Sequence, residues 1–208
     1  MLIAETDYEQ SVDTLGKSIM NHESGLELSF QSGQIIELPS NFRAIIYLKE
    51  GSAGIYYKEN HCLVSENSSP AIIGLTFLFI QNYHMYIRFY SECKAYYINQ
   101  TEFVKLCDKK QLWRHVSQLI ARAERTLHSS PSISAFRNVY DVVKFHLDNI
   151  WKLPENERNN ISIYKYILER SPISRSSLHK IIRDLNMGGY IKTERGKLLK
   201  LIRLPVKY

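Results

Sequence analysis

The segment ISRSSLHKIIRDLN, residues 173–186, decides how this chain is interpreted. Ser174 is a typical helix N-cap, because its hydroxyl accepts a hydrogen bond from a free backbone N–H of the first turn. The residues that follow repeat with helical spacing. One stripe is apolar and consists of Leu178, Ile181, Ile182 and Leu185. The opposite face is basic, carries no acid, and consists of Arg175, Ser176, His179, Lys180 and Arg183.

The flanking sequence completes a helix-turn-helix followed by a hairpin. Ser162 is placed to cap a short upstream helix, and Ser171-Pro172 ends that helix because proline disfavours helical geometry in the preceding residue. Downstream, residues 190–193 and 197–203 have the pattern of two strands around Glu194-Arg195-Gly196, with glycine where a positive φ is needed. Together these elements predict a winged helix-turn-helix, whose second helix enters the DNA major groove.

The distribution of charge points to the same region. The chain has a net charge of +6. Residues 131–208 contain 15 Lys and Arg against 7 Asp and Glu, whereas residues 1–130 contain 12 against 14. All of the excess basicity therefore belongs to the C-terminal part. A positive field beside a helix-turn-helix is what contacts with DNA phosphates require.

Composition restricts the class of protein further. No run of ~18 apolar residues predicts a transmembrane helix, and the first residues, MLIAETDYEQ, lack the apolar core of a signal peptide. We therefore expect a cytoplasmic protein with no membrane partner. Cys62, Cys93 and Cys107 have no CxxC spacing, which disfavours a disulfide framework or zinc site. No Walker loop or HExxH pattern occurs, so we expect no metal, no cofactor and no enzymatic activity.

The N-terminal part has the pattern of a β-structure. Residues 1–22 allow an amphipathic helix. From residue 25 to residue 99, short runs rich in Ile, Tyr, Phe and Leu are separated by turn residues, which predicts an antiparallel sandwich or barrel. The predicted strands are 26–30, 34–38, 44–48, 53–58, 72–75, 85–89 and 95–98.

Residues 101–127 are predicted to form one helix with a narrow apolar seam. The seam repeats at alternating spacings of four and three, which is typical of a helix that pairs with another helix. Its residues are Leu112, Val116, Leu119 and Ala123. The helix either pairs with a second copy of the chain or packs on its own β-structure. Trp113 and Ile120 widen the apolar face, so one side of the helix can do each. We favour the dimer, because helix-turn-helix proteins commonly read paired half-sites.

These elements predict an α+β protein in three parts. Residues 1–100 form an antiparallel sandwich or barrel with an N-terminal helix. Residues 101–130 form the connecting and dimerisation helix, and residues 131–208 form the winged helix-turn-helix domain. The boundary falls in a polar break at 129–134, and 136–151 predicts the first helix of the last domain.

This order resembles the cyclic-AMP receptor protein and FNR superfamily of bacterial transcription regulators. The resemblance is tightest at SRSSLHKI, residues 174–181, which is similar to the recognition helix of the family. YLKEGSAGIYY, residues 47–57, is similar to the strand–glycine–strand hairpin. Residues 170–208 resemble the C-terminal segment of the enterobacterial IprA-like (YaiV-like) subgroup. The resemblance implies that residues 1–100 form a sensor-like antiparallel β-roll of the cyclic-nucleotide-binding type. It also implies a DNA-binding homodimer, contact with RNA polymerase, and a role related to oxidative stress.

The chain departs from this family at the cyclic-nucleotide cassette. The family has G-E-L followed by Arg-Ser, where the Glu takes the ribose hydroxyl and Arg-Ser takes the phosphate. Here residues 74–77 read GLTF, and the place of Arg-Ser falls near Tyr83-His84. The acid and the cation are both missing, so we expect no binding of cyclic nucleotide. No cysteine precedes Cys62, so the N-terminal cluster of an FNR-type iron–sulfur centre is missing as well.

Within the winged helix-turn-helix we assign two kinds of DNA contact. Arg175, Ser176, His179 and Lys180 are expected to face base edges. Arg183, Arg195 and Lys197 are expected to meet phosphates, which position a protein without specifying sequence.

Two other hypotheses fit the same sequence. The winged helix can serve as a protein-interaction module, or the chain can be a receptor for an apolar ligand or a redox signal with conditional DNA binding. An apolar pocket would be lined by aromatic residues, although we favour a packed core. These residues are Phe77, Phe79, Tyr83, Tyr86, Phe89, Tyr90, Tyr96 and Tyr97. The sequence leaves open whether Cys62, Cys93 or Cys107 is redox-active, since reactivity depends on exposure and pKa.

Overall fold

The computed structural model describes residues 5–38, 43–78, 84–129, 136 and 138–205. The predicted aromatic positions Phe79 and Tyr83 and residues 130–134 of the predicted polar break lie outside the described residues. The chain divides into an N-terminal unit, Met1–Ser130, and a C-terminal unit, Pro131–Tyr208. No helix in the described part of the chain is long and apolar enough to cross a membrane.

The N-terminal unit contains helices α1 to α3 and two four-stranded antiparallel sheets, with strand orders β1-β8-β3-β6 and β2-β7-β4-β5. The helices are α1 Glu5–Met20, α2 Gln100–Lys110 and α3 Trp113–Ser129. The strands are β1 Leu26–Phe30, β2 Ile35–Leu38, β3 Ala44–Glu50, β4 Ser52–Tyr57, β5 Leu63–Ser68, β6 Ala71–Ile73, β7 Met85–Phe89 and β8 Cys93–Asn99. The antiparallel β-structure and the N-terminal helix are confirmed.

One of these strands was missed by the sequence patterns. β5 has the sequence LVSENS and is an edge strand with intermediate or exposed positions throughout. It is held by pairing with β4, from Ser52↔Ser68 to Tyr56↔Leu63. An edge strand needs no alternation of apolar and polar residues, so this segment carried no strand signal.

The inward faces of the two sheets are joined by one apolar core, which fills the interior of the β-roll. Phe30 of β1 stacks on Phe89 of β7 with ring centroids 4.1 Å apart. Leu48, Ile87 and Ala95 are fully buried beside them. The residues of this core that the structure describes therefore favour the packed-core interpretation of the β-roll over an apolar pocket.

The prediction of one helix over residues 101–127 is wrong, because the segment forms α2 and α3 with a break at Gln111. Gln111 adopts a left-handed conformation, with φ 54°. The backbone N–H of Leu112 donates to the carbonyl of Cys107 over 2.9 Å, which closes the end of α2. A non-glycine residue with positive φ is uncommon, so no residue at this point signalled the end of a helix.

The predicted seam of α3 lies inside the N-terminal unit. Leu112, Val116 and Leu119 are 5%, 2% and 7% exposed, in a core shared with α1 and the β3 and β8 strands. Ala123 is half-buried. Packing on the chain's own N-terminal unit, which was one of the two alternatives, is therefore present at the first three positions, and pairing with a second copy stays a prediction. The reason is that Val12, Leu15 and Ile19 of α1 supply the apolar partner within the same chain.

Polar contacts also hold α1 against α3. The hydroxyl of Ser11 is fully buried and lies 2.7 Å from the side-chain oxygen of Gln118 and 3.0 Å from Nδ1 of His115. Arg122 lies over the ring of Tyr8, 3.9 Å from its centroid. Buried polar groups of this kind fix the position of one helix on another, because an unmade hydrogen bond would be costly.

The C-terminal unit is a winged helix-turn-helix. Its helices are α4 Val139–Lys152, α5 Glu155–Arg158, α6 Ile163–Arg170 and α7 Arg175–Met187, and its strands are β9 Ile191–Glu194 and β10 Lys197–Leu201. α4 begins later than predicted because Asn138 caps it, accepting a hydrogen bond from the N–H of Asp141 over 2.9 Å. A single apolar core joins α4, α6, α7 and both strands.

One buried polar group in this unit makes its stability depend on pH. His146 of α4 is 7% exposed and lies between Phe145 and Tyr166, with ring centroids 5.3 Å and 5.9 Å away. Burial, with a smaller contribution from the positive charge of Arg170, lowers the pKa of His146 from 6.5 to about 4. The folded protein therefore holds this imidazole neutral.

We expect the C-terminal unit to lose stability as pH falls from about 6.5 to about 4, since in that window the unfolded chain binds a proton that the folded chain excludes. The loss attributable to His146 is ~2–3 kcal/mol. Urea unfolding followed by the fluorescence of Trp151, in a Trp113→Phe background, measures it. A His146→Leu variant is the control, and equal pH dependence in both proteins would show that His146 is not the cause.

Candidate nucleic-acid interface

Hydroxyl caps fix the two helices of the helix-turn-helix. The hydroxyl of Ser174 accepts a hydrogen bond from the N–H of Ser177 over 3.1 Å at the start of α7. Ser162 caps α6 in the same way, through the N–H of Lys165 at 3.4 Å. Ser171 ends α6 and is buried, with its hydroxyl donating to the carbonyl of Ile167 over 2.7 Å. The predicted caps and the predicted break are therefore present.

The two faces of α7 separate as the sequence spacing indicates. The apolar stripe is buried in the core of the C-terminal unit and contains Leu178, Ile181, Ile182 and Leu185. The opposite face is exposed to solvent and contains Arg175, Ser176, His179, Lys180 and Arg183. In the described part of the chain, Arg183 is the member of this face that forms an ion pair. Its Nε lies 3.4 Å from a carboxylate oxygen of Asp184.

A tight hairpin presents the remaining two predicted residues. Arg195 and Gly196 connect β9 to β10 and both have positive φ, 48° and 77°. Glu194 pairs with Lys197 across this two-residue loop. Positive φ at both central positions is the geometry of a type I′ turn, which matches the twist of the strands. Arg195 and Lys197 are both exposed at this end of the hairpin, which we call the wing turn.

One asparagine, which the sequence patterns did not single out, ties α7 to the wing. The side-chain amide of Asn186 donates to the carbonyl of Ile182 and to the hydroxyl of Thr193, both at 2.9 Å. Its oxygen accepts from the N–H of Thr193 at 3.0 Å. These three hydrogen bonds fix β9 relative to the end of α7. Asparagine near a helix end is common, so spacing alone gave no signal.

A tyrosine links the exposed face of α7 to α6. The ring of Tyr164 stacks on the imidazole of His179, with centroids 4.2 Å apart and planes inclined by 19°. Burial raises the pKa of Tyr164 above its usual value. The helical spacing predicted His179 on the basic face, whereas no sequence pattern indicated a role for Tyr164.

The cysteines of the N-terminal unit are poor candidates for reactive thiols. Cys62, Cys93 and Cys107 are all buried and unpaired. Burial raises the pKa of Cys62, and burial together with the nearby Asp108 raises the pKa of Cys107 to about 12. A raised pKa removes the thiolate that oxidants attack. Among the residues that the structure describes, no group of three or more His, Cys, Asp or Glu side chains is placed to hold a metal ion.

The fold is similar to that of solved transcription regulators of the cyclic-AMP receptor protein and FNR type, and the C-terminal unit has the form of a winged helix-turn-helix DNA-binding domain. This confirms the fold that the resemblance implied. Residues 139–206 match the family model described as "Winged helix-turn-helix DNA binding". The c-di-GMP responsive global regulator CLP of Xanthomonas campestris has a TM-score of 0.72 at 14% identity, over 92% of this chain and 100% of that one. A regulator of the crp/fnr family from Eubacterium rectale has a TM-score of 0.66, also at 14% identity, over 91% and 90%.

Similarity in sequence extends to particular proteins. The Escherichia coli K12 protein named "Inhibitor of hydrogen peroxide resistance" is 27% identical over 201 residues, which is 96% of each chain. The Salmonella typhimurium protein of the same name is 28% identical over 118 residues, which is 57% of each chain. This agrees with the resemblance of residues 170–208 to the IprA-like subgroup.

Proposed function

We propose that this chain is a sequence-specific transcription regulator that binds double-stranded DNA as a homodimer. The observation that carries the proposal is the exposed basic face of α7, which is held by caps on one side and by Asn186 and the wing on the other. A helix presented in this way is suited to the major groove. The protein would act in the cytoplasm, where bacterial DNA is, and this role requires no catalytic step.

The residues of this surface divide by the part of DNA they are suited to reach. Arg175, Ser176, His179 and Lys180 occupy the first two turns of α7, and we propose that they contact base edges. Arg183, Arg195 and Lys197 lie further along α7 and at the wing turn, and we propose that they contact phosphates. Their exposure and the rigid turn at Gly196 support this division.

The domain organisation that we propose is a sensor-like β-roll at 1–100, a connecting and pairing segment at 101–130, and the DNA-binding domain at 131–208. Since Leu112, Val116 and Leu119 are covered within the subunit, we propose that the pairing uses the other face of α3. Ser117 and Ala121 are exposed on that face. A two-fold axis along it would make the contact isologous.

The name of the relatives suggests which genes this chain would regulate. Because the Escherichia coli relative is named an inhibitor of hydrogen peroxide resistance, we propose that this chain controls genes that affect peroxide resistance. The buried thiols with raised pKa values support a signal other than direct oxidation of cysteine.

We expect cyclic AMP not to bind. The cassette position carries Gly74-Leu75-Thr76-Phe77 in place of the family's acid, and the interior of the described β-roll is filled with apolar side chains. An anionic phosphate placed among these described apolar side chains would lose its hydration without gaining a cation from them. Calorimetry with cyclic AMP measures this directly. Saturable binding at micromolar concentration would contradict the expectation and require a phosphate partner elsewhere.

A protein partner is the second candidate, and one observation favours it. Met187, Tyr190 and Ile202 are 77%, 40% and 62% exposed at the end of α7 and the base of the wing. Exposed apolar residues that lie together often mark a protein contact. RNA polymerase is the partner that a transcription regulator would touch, and this contact is compatible with DNA binding by α7.

Chromatin immunoprecipitation with sequencing tests the proposed function. We expect enrichment of a limited set of promoters that share a pseudo-palindromic site with half-sites ~34–36 Å apart. The same sites should be bound by the purified full-length protein in gel-shift experiments. Enrichment without any shared sequence, together with no gel shift, would favour the protein-interaction module instead.

A further inference from the structure

One aromatic ring of α6 stacks on the exposed face of α7 and lies beside the wing turn. Tyr164 is the second residue of α6. Its ring stacks on His179 of α7 at 4.2 Å. At the wing turn, a Cβ added to Gly196 would lie 3.5 Å from the same ring. The turn is also fastened to α6, because the N–H of Ile163 donates to the carbonyl of Gly196 over 2.8 Å.

This arrangement restricts a side chain that would otherwise be free. His179 is exposed on α7, between Arg175 one turn before it and Arg183 one turn after it. With one face of its imidazole covered by Tyr164, the ring keeps its nitrogen edge and its other face for a ligand. A side chain that is already held loses less rotamer freedom on binding, and this improves both affinity and selectivity.

The wing turn lies beside the same ring, and the backbone of Ile163 fastens it to α6. Gly196 approaches the Tyr164 ring closely enough that a side chain there would come into contact with it. A shift of Tyr164 would therefore release the His179 imidazole and open the space beside the loop that carries Arg195 and Lys197. The contact is not an obvious consequence of sequence, since residues 164 and 179 belong to different helices.

We propose that Tyr164 is a positioning residue that determines specificity, because it fixes the plane of the His179 imidazole for contact with duplex DNA beside the wing turn. This inference rests on the proposed function. Tyr164 acts through His179, and its hydroxyl is not needed for the effect.

The experiment compares four variants of the full-length protein: Tyr164→Phe, Tyr164→Leu, His179→Ala and the double variant Tyr164→Leu/His179→Ala. The DNA is the duplex that the wild-type protein selects from a random library, with a scrambled duplex of equal length as reference. Dissociation constants for both duplexes and thermal midpoints are measured for each protein. If Tyr164→Leu does not fold, Tyr164→Met replaces it, since Met keeps volume without a ring.

We expect Tyr164→Phe to bind the selected duplex within about twofold of wild type, because stacking is kept. Tyr164→Leu and His179→Ala should each weaken that binding by about two- to tenfold, with the scrambled duplex little affected. The double variant should bind the selected duplex within about twofold of the weaker single variant. The reason is that both substitutions remove the same contact, so their effects do not add. The base preference of the two single variants should relax at the same position.

Three results would overturn the inference while leaving the proposed function in place. If the fold-loss in affinity of the double variant equals the product of the two single fold-losses, the two residues act independently. An equal loss in Tyr164→Phe and Tyr164→Leu would assign the effect to the hydroxyl. Equal losses on both duplexes with a lowered thermal midpoint would reduce Tyr164 to a core residue. A wild-type protein that selects no sequence would remove the proposed function itself, and the inference with it.

Discussion

Replacing Arg175 with alanine is expected to remove most of the sequence preference of this protein. Arg175 is the first residue of α7, exposed beside the Ser174 cap. A guanidinium at this position of a recognition helix is suited to a bidentate contact with guanine, which is worth ~1–3 kcal/mol of discrimination. The loss should fall on the preferred operator, so affinity for scrambled DNA should change much less.

Two control variants separate this effect from a general loss of charge. Arg114→Ala removes an exposed arginine from α3 in the N-terminal unit and should leave operator binding unchanged. Lys197→Ala at the wing turn should weaken all sequences alike, since phosphate contacts do not specify sequence. Gel shifts on operator and scrambled duplexes measure all three proteins. Retained operator preference in Arg175→Ala would remove Arg175 from the readout of bases.

The second large effect is expected in Leu119→Glu, which should unfold the N-terminal unit. Leu119 is 7% exposed in the core between α1, α3 and the sheet. The substitution removes an apolar side chain and buries a carboxylate that has no partner, at a cost of roughly 4 kcal/mol or more. Had the seam faced a second subunit alone, the same substitution would have separated the subunits and left each of them folded.

Ala121→Glu is the matched variant, two residues away on the exposed face of α3. It should keep the fold of the subunit and, if this face pairs two copies, convert a dimer to a monomer through repulsion of two like charges near the axis. Light scattering gives the oligomeric state, and the fluorescence of Trp113, in a Trp151→Phe background, follows the N-terminal unit. A Leu119→Glu protein as stable as wild type would contradict the buried position of this residue.

The C-terminal unit was predictable from sequence because its signals are local. A cap at Ser174, an apolar stripe at helical spacing, and a glycine at the wing turn each act within a few residues. The structure places these elements where the patterns indicate, with α7 at Arg175–Met187 and the turn at Arg195-Gly196. Signals of this kind predict a helix or a turn even when the packing partner of the segment is not known.

The remaining features depend on contacts between distant segments. Which face of α3 is free depends on α1, about one hundred residues earlier in the chain, as the Ser11–Gln118 contact illustrates. The stack of Tyr164 on His179 joins two helices, and the Asn186–Thr193 bonds join a helix to a strand. The spacing of Leu112, Val116 and Leu119 showed that one face of the helix is buried, but not which partner buries it.

The salt dependence of operator binding tests the central claim most directly. Full-length protein is titrated onto the selected duplex and a scrambled duplex over a range of salt concentrations. If each subunit of a dimer places Arg183, Arg195 and Lys197 on phosphates, about six contacts give a slope of roughly −5 for log affinity against log salt. We predict this slope for both duplexes, with a preference for the selected one that persists at every salt concentration. A flat dependence with no preference between the two duplexes would contradict the account.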